Sequence, residues 1–324
     1  MIRSIEIKNL RGIQEGKLDD LTPLTILVGP NGCGKSTILD ALLIGANPIP
    51  EVNQAFIRRP GLNDRERWLS WKGKREIAIE IAVATYERGI RQTRLSVPQP
   101  SIPQTGFQIS IEQTNIAETI KVELGQKNSG SLSPLIGVPS LKLLEGNVKG
   151  NIPNLPQLLT EVLVQGSEET VNSLVKELIP NATGLRILVD SSNAPLVHLQ
   201  FSDHAVPVAV TGDGLQTLLR LSLELLAFPG GVVLFEEPEV HQHPRAIYQS
   251  GRAIFAAVRR GIQVIIATHS IDLIDSLLAE VKSDEELARI SVFRLALQEG
   301  CLRSSRLTGS EAISLRTTIE EDLR

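Results

Sequence analysis

The run from Gly29 to Thr37 limits what this chain can fold into more than any other part of its sequence. It fits the phosphate-loop pattern G-x-x-x-x-G-K-[ST] at every fixed position. The apolar residues 24–28 before it predict a short buried strand, and the apolar spacing over 38–44 after it predicts a helix. A loop that joins a buried strand to a helix N-terminus in this way indicates an α/β fold of the P-loop NTPase kind.

The residue types in this loop suit the binding of a triphosphate by the main chain. Gly29, Gly32 and Gly34 allow positive φ angles and a close approach of the backbone to the phosphates. Their N–H groups then form an anion site at the positive end of the following helix. Lys35 is predicted to reach the β- and γ-phosphates, and the Ser36 hydroxyl to ligate Mg²⁺. The predicted nucleotide-binding residues of the loop are Asn31, Gly32, Cys33, Gly34, Lys35, Ser36 and Thr37.

The bulk composition agrees with a globular protein and narrows the compartment. The 324 residues are 42% hydrophobic and 22% charged, and the formal net charge of −4 gives no overall attraction to nucleic acid. Two cysteines cannot form a disulfide framework, which fits a reducing cytoplasm. We find no apolar run of about 18 residues and no signal peptide at Met1, and we therefore expect a cytoplasmic protein that does not span a membrane.

Helix patterns over 156–178 (with a break near 165–167), 215–226 and 245–260 occur among the strand patterns. Strands that alternate with helices in this way predict a mainly parallel core sheet covered on both faces. The N-terminal part adds an antiparallel β region, because residues 2–8 alternate as an edge strand would and 76–85 can pair with 89–97. Many Pro, Gly, Ser and Asn residues interrupt 98–154, which indicates an inserted α+β lobe with long loops. We expect one ATPase head, residues 1–324, made of an N-terminal β region with the phosphate loop (1–97), the inserted lobe (98–205) and a C-terminal part (206–324).

A buried strand over 232–235 ends in carboxylates, which ATP hydrolysis requires beside a phosphate loop. Glu236 follows the strand directly and is predicted to hold Mg²⁺ or its water shell. Glu237 is predicted to orient and polarise the attacking water. Pro238 cannot continue a strand, so the chain turns outward there. An ordinary acidic loop after a buried strand is the alternative, and the phosphate loop in the same chain argues against it.

The next buried strand, over 263–267, ends in Thr268, His269 and Ser270. A histidine at this place can sense the γ-phosphate through a hydrogen bond, and we assign that role to His269. Taken alone, the same run is more typical of a helix cap, and Ser270 fits that role in either case.

A second glycine-rich loop, Thr211–Gln216, opens a helix and is another potential anion site. A chain with one phosphate loop has no need of a second, so we expect this loop to close over the nucleotide bound by another copy. By itself the loop is a weak signal. Its predicted nucleotide-binding residues are Thr211, Gly212, Asp213 and Gly214.

In combination these motifs resemble the ABC-type ATPases of the RecF/SMC/OLD group, which include stand-alone AAA-like proteins of phage defence and DNA repair. The resemblance covers about residues 1–45 and 200–310. It implies an ATP-dependent, head-to-head homodimer that encloses two ATP molecules with Mg²⁺, in which the loop at 211–216 is the signature loop that caps the γ-phosphate across the dimer. The motifs that carry it are the segments 5–13, 29–32, 236–239 and 268–270, with His241, His243 and Pro244.

The chain departs from the family's pattern at several points. Glu236 stands where the family mostly has aspartate, which changes the Mg²⁺ geometry by one methylene. Asp213 places a carboxylate in the signature loop, where it either repels phosphate or points away. Arg11 lies where relatives carry a basic residue near the nucleotide, although a solvated turn explains it equally well. The family's glutamine that couples Mg²⁺ to the second lobe is not identified, and the candidates are Gln54, Gln92 and Gln108.

Motif spacing separates the function classes that remain. About 200 residues lie between Lys35 and Glu236, more than a transporter ATPase domain needs, and only 55 residues follow His269, too few for the nuclease domain of full OLD proteins. We therefore expect a nucleotide-switched dimer that senses or clamps DNA and regulates a separate effector, a nuclease, in defence or repair. One alternative is a subunit that energises a membrane transporter, against which the missing Leu-Ser-Gly-Gly-Gln run stands. Another is a non-catalytic scaffold, against which Glu237 stands.

Direct contact with DNA has one local candidate in the sequence, a basic stretch between residues 58 and 75 that includes Trp68 and Trp71. Phosphate binding by such a stretch predicts a steep dependence on salt. A solvated surface loop, balanced by Asp64 and Glu66, is the alternative. The basic residues of the stretch are Arg58, Arg59, Arg65, Arg67, Lys72, Lys74 and Arg75.

Overall fold

The computed structural model describes residues 1–47, 65–86, 89–96, 107–113, 116–122, 140–146, 155–179, 181–318 and 322. Within these ranges the chain forms a twelve-stranded mixed sheet and a separate three-stranded sheet. The strands are β1 (Ile2–Leu10), β2 (Ile13–Leu18), β3 (Leu24–Val28), β4 (Ile79–Thr85), β5 (Gly89–Ser96), β6 (Phe107–Gln113), β7 (Ile116–Val122), β8 (Leu141–Glu145), β9 (Gly184–Val189), β10 (Pro195–Gln200), β11 (Ala205–Pro207), β12 (Val232–Glu236), β13 (Gln263–Ala267), β14 (Ile290–Gln298) and β15 (Cys301–Thr308).

Five parallel strands form the core of the larger sheet, in the order β14-β3-β13-β12-β8. Every residue of β3 and of β13 is buried, as is typical of parallel strands covered on both faces. The predicted α/β fold with a mainly parallel core sheet and an antiparallel N-terminal region is therefore confirmed. Because all five strands point the same way, the residues that follow β3, β12 and β13 meet at one edge of the sheet.

Helices cover both faces of this core. One apolar cluster joins α1 to one face, and a second joins α5, α6 and α8 to the other. No helix in the part of the chain that the structure describes is both long and apolar enough to cross a membrane. The helices are α1 (Lys35–Gly45), α2 (Leu155–Val164), α3 (Glu168–Leu178), α4 (Asp213–Ala227), α5 (Pro244–Arg259), α6 (Ile271–Ala279), α7 (Asp284–Leu287) and α8 (Gly309–Thr318), and there are short 3₁₀ turns at Arg65–Leu69, Trp71–Gly73 and Val208–Val210.

Seven further strands extend the sheet beyond β14, in the order β7-β6-β5-β4-β1-β2-β15, and neighbouring strands here are antiparallel except β2 and β15, which pair in parallel. The predicted hairpin of β4 and β5 is present. The prediction of an edge strand at residues 2–8 is wrong, because β1 pairs with β2 on one side and with β4 on the other. Its alternation has another cause: Ile5 and Ile7 are fully buried in the cluster that includes α1, whereas Glu6 and Lys8 lie on the opposite face.

A smaller lobe holds the three-stranded sheet, in the order β11-β10-β9, with α2, α3 and α4. Leu159, Val175, Leu199 and Leu219 belong to its apolar cluster. The helix predicted over 156–178, with a break near 165–167, is present as α2 and α3.

One strand within the predicted inserted lobe belongs to the core. β8 pairs in parallel with β12 along its whole length and forms one end of the twelve-stranded sheet. The division of the chain at residues 98 and 205 stays a prediction. Much of 98–154 lies outside the described residues, and so does the segment 48–64.

Candidate functional site

The phosphate loop has the backbone geometry of an anion cradle. It follows β3, with φ of +143° at Gly29, +79° at Gly32 and +104° at Gly34. A Cβ at Gly29 would lie 2.5 Å from the carbonyl oxygen of Leu295, so only glycine fits there. A Cβ at Gly32 would meet no heavy atom within 4 Å, so the loop is open on this side to an approaching ligand.

Lys35 is held inside this loop at the start of α1. Its Nζ donates to the carbonyl oxygens of Gly29 at 2.7 Å and Pro30 at 3.2 Å. Burial lowers the pKa of the ammonium group, while nearby Cys33, Glu237 and Glu239 act in the opposite direction. These two carboxylates belong to the acidic run after β12, so the loop and the acidic run lie close enough to interact electrostatically.

The beginning of α1 fits a triphosphate. Gly34 provides no side-chain cap, and the first turn of α1 contains no acidic residue. The free N–H groups and the positive end of α1 are therefore available to bind an anion. Ser36 lies in this turn and is predicted to bind Mg²⁺ together with Glu236. Among the described residues no group of three or more His, Cys, Asp or Glu side chains can hold a metal ion. A site with one hydroxyl, one carboxylate and phosphate oxygens is the kind that Mg²⁺ uses with nucleotides.

The acidic run begins where β12 ends. Glu236 is the last residue of β12, in register with Ala267 of β13. Glu237 has a φ of +47°, and its N–H donates to the carbonyl oxygen of Ala267 at 2.8 Å. The N–H of Gly146 donates to the carbonyl oxygen of Glu236 at 2.9 Å, and a Cβ at Gly146 would overlap the carbonyl oxygen of Glu237. Gly146 thus supports the turn that carries Glu237.

His269 lies beside this turn. Its Nε2 is 3.6 Å from Oε1 of Glu237, and both side chains are partly exposed. The Ser270 hydroxyl accepts the N–H of Leu273 at 3.1 Å and caps α6, as the sequence predicts. The structure therefore brings together the two residues that we assign to the attacking water and to the γ-phosphate.

Glu239 and Thr268 connect the acidic run to the histidine segment. Oε1 of Glu239 accepts from the Thr268 hydroxyl at 2.6 Å and from the main-chain N–H of His269 at 3.2 Å. No role for either residue, or for Gly146, followed from the sequence, because the strand pairing that brings them together is not encoded in a local pattern. The local signal in the sequence was limited to the motif segments 236–239 and 268–270, which contain Glu239 and Thr268.

The loop Thr211–Gly214 lies at the start of α4 and faces outward. Gly212 and Asp213 are exposed, and Gln216 Nε2 donates to the carbonyl oxygen of Thr211 at 2.8 Å. A Cβ at Gly214 would lie 3.1 Å from the carbonyl oxygen of His241, which places the loop beside the segment that follows the acidic run. Among the described residues no hydrogen bond or ion pair joins this loop to the phosphate loop of the same chain.

Arg11 is not a solvated residue of a turn. Its side chain is only 15% exposed, and its Nη2 lies 3.1 Å from Oδ2 of Asp40, which is fully buried in α1. The helix that begins with Lys35 is thereby fixed to the turn between β1 and β2. The glutamine that couples Mg²⁺ to the second lobe in the family is still not identified in this chain. Gln54 lies outside the described residues, and Gln92 and Gln108 lie on β5 and β6.

The basic stretch is described only from Arg65 onward, and Arg58 and Arg59 lie outside the described residues. Arg67, Lys72 and Lys74 are exposed, and Trp68 is 50% exposed. The three cations lie over tryptophan rings. Cζ of Arg67 is 5.4 Å from the centre of the Trp68 ring, and Nζ of Lys72 and Nζ of Lys74 are 4.3 Å and 5.3 Å from the centre of the Trp71 ring.

Two families match separate parts of the chain. Residues 1–57, which contain the phosphate loop, match a family described as AAA ATPase domain. Residues 174–275, which contain the loop Thr211–Gly214, the acidic run and His269, match a family described as AAA domain, putative AbiEii toxin, Type IV TA system.

Two similar proteins cover different shares of the chain. An ATP/GTP phosphatase of Helicobacter pylori is 22% identical over 86% of this chain and 89% of its own length. An uncharacterized protein of Methanocaldococcus jannaschii is 39% identical over 24% of this chain and 34% of its own.

Solved structures with the same fold include SMC head domains. A head bound to the C-winged helix domain of ScpA has a TM-score of 0.62 at 14% identity, covering 96% of this chain and 99% of that one. The Pyrococcus furiosus head, bound to the C-terminal domain of ScpA, has a TM-score of 0.63 at 12% identity over 99% of both chains. The two family matches, the ATP/GTP phosphatase relative and the phosphate-loop geometry agree: the chain is an ATPase, and it has the fold of SMC head domains.

Proposed function

We propose that this chain works as an ATP-switched homodimer that regulates a separate effector protein. One observation carries the proposal. The phosphate loop, Glu237 and His269 lie close to one another, whereas Gly212 and Asp213 of the loop Thr211–Gly214 are exposed, and among the described residues no hydrogen bond joins this loop to the phosphate loop of its own chain. A second copy that faces the first would supply this loop to each nucleotide.

Each residue of the site then has a task. The loop N–H groups and Lys35 bind the phosphates, and Ser36 and Glu236 hold Mg²⁺. Mg²⁺, when bound, neutralises the charge that develops on the phosphate oxygens. Glu237 orients the attacking water, and His269 contacts the γ-phosphate and reports whether it is present. Loss of the γ-phosphate would release the partner's loop and open the dimer.

A separate effector in a defence system is supported by the comparisons. The family that matches residues 174–275 is described by a putative AbiEii toxin of a Type IV TA system, and two of the similar SMC heads were solved bound to a domain of ScpA. We propose that this chain likewise acts on a partner protein, and that the partner is a nuclease.

Complementation between two inactive variants tests the shared site. Gly212→Trp blocks only the partner's nucleotide, because a side chain at Gly212 meets nothing within its own chain. Lys35→Ala removes phosphate binding. Each variant alone should lack ATPase activity. In a mixed dimer one site combines a normal phosphate loop with a normal signature loop, so mixing equal amounts should restore about a quarter of the wild-type rate.

The result of mixing decides between two arrangements. No recovery on mixing, or full activity of Gly212→Trp alone, would contradict a site shared between two copies. A Lys35→Ala variant that is mixed with itself at the same total concentration is the control.

We further propose that the exposed basic stretch, residues 67–74, contacts DNA phosphates. Three cations and a half-exposed tryptophan on one short surface segment support this proposal. Changing Arg67, Lys72 and Lys74 to Gln should weaken DNA binding at all sequences and reduce the slope of log K against log salt by about 0.9 per lost contact. Changing Lys176, Lys282 and Arg303 to Gln removes the same charge elsewhere on the protein and is the control. An equal loss of DNA affinity in both triple variants would contradict the proposal that residues 67–74 contact DNA.

A further inference from the structure

The third carboxylate of the acidic run, that of Glu239, is bound to the end of β13. Its Oε1 accepts hydrogen bonds from the Thr268 hydroxyl at 2.6 Å and from the His269 N–H at 3.2 Å. The Thr268 hydroxyl in turn accepts the N–H of Ser270 at 2.9 Å. One carboxylate oxygen therefore helps to fix three consecutive residues at the point where β13 ends and α6 begins.

Both neighbours of His269 are fixed to other elements as well. The N–H of Thr268 donates to the carbonyl oxygen of Leu27 at 3.1 Å, and Ser270 caps α6. The N–H of His269 itself is bound by Glu239. Since this bond fixes the orientation of the peptide that leads into His269, it also helps to set where the imidazole points.

The acidic run forms a compact, hydrogen-bonded turn that contains both Glu237 and Glu239. The N–H of Val240 donates to the carbonyl oxygen of Glu237 at 3.1 Å, and that of Gln242 donates to the carbonyl oxygen of Glu239 at 3.0 Å. The Gln242 side chain also donates to the carbonyl oxygen of Pro238 at 2.7 Å. Because Glu239 binds the main chain of His269, the same turn relates the position of His269 to that of Glu237.

Stability alone does not explain a carboxylate here. Burial raises the pKa of Glu239, although the Thr268 hydroxyl, its own N–H and the His269 N–H favour the charged form. Its Oε2 is buried and has no hydrogen-bond partner among the described residues. An acceptor left in this way destabilises a fold by about 1–3 kcal/mol and calls for an explanation.

We propose that Glu239 is a positioning residue for ATP hydrolysis, which holds the peptide of His269 so that the imidazole faces Glu237. The 3.6 Å between Nε2 of His269 and Oε1 of Glu237 is then set from one rigid turn. Glu239 needs no contact with ATP for this task. The inference rests on the roles proposed above for Glu237 and His269, and it adds Glu239 as the residue that holds His269 in position relative to Glu237.

Steady-state ATPase kinetics and nucleotide affinity of Glu239 variants test this role. Glu239→Ala should lower kcat about 10- to 100-fold, the range expected for a misplaced catalytic group, with little change in ATP affinity. Glu239→Gln keeps an acceptor oxygen in the same place and should restore kcat to within a few-fold of wild type. Thr268→Ser keeps the hydroxyl and should be active, whereas Thr268→Val should be slow.

The decisive comparison is made in a His269→Ala background. If Glu239 acts through His269, Glu239→Ala should cause no further loss of kcat there, so the two changes are strongly non-additive. Glu286→Ala is the control, because Glu286 also accepts a main-chain N–H, that of Lys282, outside the site. Its kcat should equal the wild-type value.

Four results would overturn the proposal or its basis, and they are distinguishable. A wild-type kcat in Glu239→Ala, or equal losses in Glu239→Ala and Glu239→Gln, rejects positioning by an acceptor oxygen. Additive losses with His269→Ala reject action through the histidine. A wild-type kcat in His269→Ala itself rejects the proposed role of His269. Should Glu239→Ala not fold, the pair Thr268→Ser and Thr268→Val gives the same test.

Discussion

At the scale of single residues, the site depends on backbone contacts that no motif contains. Glu237 stands with a φ of +47°, a conformation that non-glycine residues adopt rarely, and neighbouring strands hold it there. Gly146 is one of these supports, since its N–H bonds to Glu236 and its Cα lies against Glu237. The turn that presents the proposed catalytic glutamate is therefore sensitive to a single methyl group.

Gly146→Ala is expected to lower kcat about tenfold or more with little effect on ATP affinity, because the added Cβ displaces the peptide of Glu237. Gly12→Ala is a matched control, since its Cβ would meet only the Leu297 side chain at 3.4 Å. Rates and nucleotide affinities of the two variants are compared. Equal kcat values for Gly146→Ala and wild type would show that this contact does not support Glu237.

The pH dependence of stability should reveal the buried carboxyl of Glu239. Its pKa is raised in the folded protein, with burial as the main cause and the neighbouring Glu237 acting in the same direction. Above the raised pKa the group is ionised in both states and burial penalises the folded one. As pH falls through that pKa the folded state takes up the proton and gains stability, until the unfolded state is protonated too.

Denaturation should therefore be measured for wild type and for Glu239→Gln at several pH values. The free energy of unfolding of wild type, relative to that of Glu239→Gln, should increase as pH is lowered from 8 to about 4.5, the ordinary pKa of a glutamate. Below that value the difference should stay constant. A difference that does not change with pH would contradict a raised pKa for this residue.

At the scale of elements, the sequence predicts those parts whose pattern is local. The helix over 215–226 appears as α4, the helix over 245–260 as α5, and the strands over 232–235 and 263–267 as β12 and β13. The failures concern pairing: the alternation in β1 cannot distinguish an edge strand from an inner strand with one polar face. β8 joins β12 across about 90 residues of chain, which no local pattern encodes.

The same limit applies to the site. Lys35, Glu237 and His269 were found because each lies in a run of residues with a recognisable chemistry. The contacts of Gly146, Thr268 and Glu239 join segments that are far apart in the sequence, so these contacts are visible only in the three-dimensional structure.

The buried ion pair between Arg11 and Asp40 fixes α1, and with it the phosphate loop, to the turn between β1 and β2. Asp40→Ala leaves a largely buried guanidinium without this partner and should lower the free energy of unfolding by about 3 kcal/mol. Glu177→Ala breaks the exposed pair with Arg252 and should cost no more than about 1 kcal/mol. Urea unfolding measures both, and similar small losses would mean that the Arg11 pair does not anchor the helix.

At the scale of the whole molecule, the proposed site is complete only when two copies meet. The N-terminal half provides the phosphate loop and the C-terminal half provides the acidic run, His269 and the signature loop. Within one chain the phosphate loop, the acidic run and His269 lie close to one another, and Gly212 and Asp213 stay exposed. A switch follows from this arrangement, because ATP would connect two chains and its hydrolysis would separate them.

Light scattering on Glu237→Gln, with and without Mg²⁺ and ATP, tests this claim most directly. The substitution removes the group that orients water and keeps the phosphate loop, so ATP should bind and persist. We predict the mass of one chain without nucleotide and twice that mass with Mg²⁺ and ATP, and no doubling when Gly212→Trp is added. A mass that does not respond to ATP would contradict an ATP-switched dimer.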